Sequence, residues 1–70
     1  MSLMPKTPRL TSKQVIKILE NNDFVLDHVF GSHYVFYRAS DKRRAVVPYH
    51  TKNLPIGTLK SILRSAEIEI

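Results

Sequence analysis

Between Phe24 and Pro48 the chain is almost continuous strand-forming sequence, broken only twice and only briefly. Phe24–Phe30 (FVLDHVF) and His33–Arg38 (HYVFYR) are rich in β-branched and aromatic residues, which fit a pleated surface. Gly31-Ser32 alone separates them. A two-residue link between strands is a hairpin, and glycine supplies the positive φ that the first position of a type II′ turn demands. Ala39–Arg43 forms a second, polar turn, and Arg44–Pro48 is the third strand. Pro48 has no N–H to give a ladder, which places the end of that strand at an edge or leaving the sheet. Links this short join antiparallel neighbours, because parallel strands need a long crossover.

Helical patterns flank this block. Thr11 as N-cap and Gln14 three residues later make a capping box, with Leu10 and Val15 at the positions of a hydrophobic staple. Val15, Ile16, Ile18 and Leu19 follow as an apolar stripe, leaving Lys13, Lys17 and Glu20 to water. Asn21-Asn22-Asp23 ends the helix, because short polar side chains tolerate the left-handed turn. This predicts a helix over Ser12–Asn22. A second, over Pro55–Ala66, carries Leu59, Ile62, Leu63 and Ala66 at i, i+3, i+4 and i+7, with Lys60 and Arg64 opposite. The fold class is therefore α+β in the order α-β-β-β-α, with two helices packed on a three-stranded antiparallel sheet. Strand alternation does not say which face the helices cover. Residues 10–70 read as one domain, preceded by an extended arm, 1–9, in which Met1–Leu3 reads as a cloning remnant.

Size and composition exclude several function classes. A chain of 70 residues buries only about 60% of its unfolded surface, too little for an enclosed cofactor cavity, and no cofactor is expected. With no cysteine there is no disulfide, thiolate nucleophile or cysteine zinc site, which suits a reducing cytoplasm. No apolar run reaches spanning length, and the polar start lacks a signal peptide's core. Eleven Lys and Arg against six acids give a net charge of +5. Such a surface favours a polyanion such as nucleic acid, although solubility alone also accounts for charge of this size.

Three histidines bear on the chemistry: His28, His33 and His50. His33 directly follows the Gly31-Ser32 turn, where a side chain is both fixed and exposed. The second hairpin returns so that Tyr49 or His50 comes beside it, although a one-residue slip would change which side chains share a face. An imidazole with a pKa of about 6.5 takes or gives a proton at neutral pH. RNA carries its own nucleophile, the 2′-hydroxyl. Its cleavage needs a base, an acid for the departing oxygen, and positive charge at the phosphate. His33 and His50 supply the first two, in an order the sequence does not assign; Arg38, Lys52 and Lys60 supply the third. Lys13, Lys17 and Arg64 extend the basic surface.

Rival chemistries have weaker signals. The H-x4-H spacing of His28 and His33 is a poor metal signature. Ser32 beside His33 in sequence is no evidence of a hydrolase triad. Gly57-Thr58 ahead of a helix could receive a phosphate, but it reads more simply as a helix start. Tyr34, Phe36, Tyr37 and Tyr49 could stack on bases, yet most read as core.

Gly31-Ser32-His33 before an aromatic strand resembles the GSH motif of the HicA (YcfA-like) toxins. Val46-Val47-Pro48-Tyr49-His50 resembles their second motif, a strand ending in V-P-x-H. Leu54–Leu63 (LPIGTLKSIL) resembles their third, the run that forms the last helix. The three occur in the family's order, and the resemblance spans Leu10 to Ile68. It implies a double-stranded-RNA-binding-like fold and a toxin that degrades mRNA, with His33 essential and His50 matching a frequent second histidine. It also implies a HicB antitoxin as partner. His28 matches nothing in the family, and its replacement is expected to leave activity intact. Asp23 and Glu67 stand where the family commonly has glycine after a helix, as left-handed caps that Asp accepts and Glu accepts poorly. The leading reading is a metal-independent endoribonuclease toxin. The alternatives are a non-catalytic RNA-binding module on the same fold and a protein-interaction domain with an acidic partner.

Overall fold

The computed structural model describes residues 9–49 and 52–69; most of the expected N-terminal arm and His50 lie outside them. Its elements are α1 (Ser12–Asn21), β1 (Val25–Phe30), β2 (His33–Arg38), β3 (Arg43–Pro48) and α2 (Ile56–Ala66). The sheet runs β1-β2-β3, antiparallel throughout. The order is that predicted, and element ends shift by one residue. No helix among the described residues is long and apolar enough to cross a membrane.

Local chemistry explains the element ends. The Thr11 hydroxyl accepts the Gln14 N–H at 3.2 Å, while the Gln14 side chain accepts the Thr11 N–H at 2.9 Å, completing the capping box. Asp23 (φ 71°) and Glu67 (φ 53°) both sit in the left-handed region after their helices. Gly31, at φ 61°, opens the first hairpin while Ser32 keeps a negative φ, the combination a II′ turn requires.

One face of the sheet is covered and the other is open. Phe36 of β2 and Ala45 and Val47 of β3 are buried with Val15, Leu19, Phe24, Leu54, Leu59, Ile62, Leu63 and Ala66. Both helices pack on β3, and every residue of β1 is exposed. Sequence alternation is unclear because β1 has no buried side to mark.

The sheet also has two unlike ends. The Ser12 hydroxyl donates to the Pro48 carbonyl at 2.8 Å, and Thr11 bridges Asn53 just ahead of α2. These contacts bring the starts of both helices to the His33–Pro48 end. At the opposite end, Arg38 donates to the Asn22 carbonyl at 3.0 Å and to the Ala66 carbonyl at 3.1 Å. The two helices therefore run the same way, with their N-termini at one end and their C-termini at the other.

Candidate active site

His33 opens β2 and pairs with Phe30 on one side and Pro48 on the other. Because Tyr34 and Phe36 point toward the helices, His33, Val35 and Tyr37 face the open side. The His33 ring is exposed. Its backbone is firmly placed: the Gly31 turn fixes it from before, and the Tyr49 N–H donates to the Ser32 carbonyl at 2.8 Å. This register corrects the sequence-based expectation. Pro48, and not Tyr49, stands opposite His33, because the Ala39–Lys42 turn, with Lys42 at φ 59°, brings β3 back one residue earlier. His50 lies outside the described residues.

The basic residues divide between the two ends. Lys13 occupies the first turn of α1, and Lys52 immediately precedes Asn53, so both stand at the His33 end, exposed. Lys60 is one turn into α2, and Lys17 one turn further along α1 than Lys13. Neither helix has an acidic residue in its first turn. The partial positive charge of both N-termini therefore adds to the lysines. Arg64, in the last turn of α2, is at the far end, where Leu63, Arg64, Glu67, Ile68 and Glu69 line a shallow groove.

Arg38 is also at the far end and is not available as expected. Its guanidinium makes a two-pronged contact with Asp41, at 3.0 and 2.8 Å, besides its bonds to Asn22 and Ala66. It also lies 4.5 Å from the centre of the Phe24 ring. Its side chain is only 16% exposed. The bond from Arg38 holds the Asp41 carboxyl below its usual pKa, and Asp41 in turn raises that of Arg38. The sequence reading missed this because the partners lie 16 and 28 residues away in the chain.

Around His33 the open face is apolar and partly aromatic. Phe30, directly opposite His33, is 75% exposed, and Val46 is also uncovered; Val25, 64% exposed, continues the open face at the Tyr37 end. On the helix side of the same end, Tyr34 and Tyr49 stack with ring centres 5.0 Å apart.

Comparison with protein families matches residues 12–68 to the model described as HicA toxin of bacterial toxin-antitoxin. No curated protein matches the chain.

Proposed function

The chain belongs to the HicA toxin family of bacterial toxin–antitoxin systems, and on that premise we propose that it is a metal-independent endoribonuclease that cleaves mRNA through His33. The observation that carries this reading is the placement of His33. An exposed imidazole stands on a fixed strand start on the open face, at the same end of the sheet as two helix N-termini, Lys13 and Lys52, which gather positive charge on the helix side. In the proposed reaction the RNA phosphate is held by this positive end. An imidazole takes the proton of the 2′-hydroxyl, and its oxygen attacks phosphorus. The bond to the 5′ oxygen breaks, and that oxygen leaves with a proton from an acid. The products are a 2′,3′-cyclic phosphate and a 5′-hydroxyl.

The family implies an antitoxin partner. In our reading this is a HicB-type protein that covers the open face, where Phe30 and Val46 present apolar surface near His33 and Val25 extends it toward the far end. Such exposed apolar patches mark interaction surfaces.

The test is incubation of purified protein with a long RNA in the presence of EDTA. Cleavage to cyclic-phosphate ends is expected. RNA retention without cleavage would favour the non-catalytic module, and neither binding nor cleavage would leave only a protein-interaction role.

A further inference from the structure

The pairing of β1 with β2 steps from Leu26↔Phe36 directly to His28↔Val35, so Asp27 is the extra residue of a β-bulge. Successive strand residues ordinarily point to opposite faces. Here the bulge turns Asp27 and His28 toward one another, and Nδ1–H of His28 donates to the Asp27 carboxylate at 2.7 Å. Bulges re-aim side chains in this way and are common beside active sites. With Nδ1 committed, Nε2 is the ring atom left to exchange a proton. Asp27 is approached from a third strand as well. Arg44 lies 5.0 Å from the centre of the Tyr37 ring and reaches the same carboxylate oxygen at 3.8 Å.

His28 shares the open face with His33. Its partner Val35 is two residues along β2 from His33, which makes the two histidines diagonal neighbours across an antiparallel pair. Such neighbours stand about 7–8 Å apart, within mutual reach of long or aromatic side chains. Two imidazoles at that spacing can flank one phosphodiester.

We propose that His28, oriented by Asp27, is the second proton-transfer group of RNA cleavage, acting with His33 on opposite sides of the same phosphate. This rests on the ribonuclease reading above. One imidazole, neutral, removes the 2′-hydroxyl proton as the 2′ oxygen bonds to phosphorus. The other, protonated, gives its proton to the 5′ oxygen as the P–O5′ bond breaks. The two rings end with exchanged protonation states and reset through water, so no oxidant, metal or co-reactant is consumed. Asp27 is a positioning residue. This reverses the expectation, drawn from family resemblance, that His28 is dispensable.

The experiment compares the parent chain with His33→Ala, His28→Ala, His28→Gln and Asp27→Asn in steady-state cleavage of one RNA, with a thermal melt of each. The glutamine variant keeps a hydrogen bond to Asp27 while removing proton transfer, so it covers the case in which the alanine variant does not fold. Both His28 variants should lose about 10²–10⁴-fold in kcat, the usual worth of a general acid or base, with KM and melting near those of the parent. Asp27→Asn should lower kcat more mildly, again without raising KM. A folded His28→Gln that cleaves at the parent rate while His33→Ala is inactive would overturn the role of His28 and leave the ribonuclease reading standing. A loss confined to KM would make His28 a binding residue and also overturn it. If the parent chain cleaves no RNA, both readings fall together.

Discussion

His33 stands directly across the sheet from Pro48, whose carbonyl oxygen is held by the buried Ser12 hydroxyl at 2.8 Å. The backbone beneath the imidazole is thus secured by a strand pair and by the first residue of α1, while the ring itself is exposed. Removing the ring takes away no buried contact. His33→Ala or His33→Gln should therefore lose about 10²–10⁴-fold in RNA cleavage and any growth arrest on expression, with a melting temperature close to the parent's. An inactive variant that melts far lower would show that His33 supports the fold instead.

Positive charge is unevenly distributed about that histidine, and binding should reflect it. Affinity for RNA should fall steeply between low and physiological salt as counterions are released. Charge reversal at Lys52 or Lys13, or at Lys60 one turn into α2, should weaken different RNA sequences alike, since phosphate contacts carry no sequence information. Arg64→Glu, at the far end, should weaken them less. Filter-binding isotherms across a salt series would measure both effects, and a flat salt response would remove the electrostatic account.

Arg38 should matter for stability and little for RNA. Its planar fork grips Asp41 with two nitrogens while reaching the last carbonyls of both helices, a geometry lysine cannot copy. Arg38→Lys should lower the melting temperature by more than about 5 °C, an amount that for a domain of this size reflects the loss of one substantial interaction. RNA affinity of the folded fraction should stay near that of the parent. A variant that melts normally but binds RNA poorly would restore Arg38 to the binding surface.

Acid should reach the same network through Asp41. Because Arg38 holds the folded-state pKa of Asp41 below its unfolded value, the unfolded chain binds the proton first as pH falls. The stabilisation is complete above the unfolded pKa, near pH 4, and is lost as pH drops through the lower folded value. Thermal melts from pH 6 down to about pH 2 should show a steeper acid decline for the parent than for Asp41→Asn. Parallel curves would mean that the carboxylate is not linked to folding.

The sequence announced what is local. Thr11 and Gln14 mark the start of α1 because a capping box needs only four consecutive residues. Gly31 marks its turn because φ 61° excludes most other residues. Asp23 is legible as a left-handed helix end because a short polar side chain tolerates it, whereas Glu67 is marked only by the family resemblance, and both have positive φ. What escaped depends on register or on distant partners. The Asp27 bulge leaves no signal in a strand whose residues are all exposed. The pairing of His33 with Pro48 depends on how tightly Ala39–Lys42 turns. The position of Arg38 between two helix ends could be known only once both helices had packed.

The common direction of the two helices separates what this domain does from what keeps it folded. His33 begins β2 and Arg38 ends it, roughly 16 Å apart at about 3.3 Å per residue. Sites farther apart than about 7–10 Å with no shared partner usually act additively. Stability could therefore be tuned at the Arg38 end without disturbing chemistry at the His33 end. The reverse also holds, so a catalytically silent version of this chain could keep its native shape intact and serve as a folded decoy for its antitoxin.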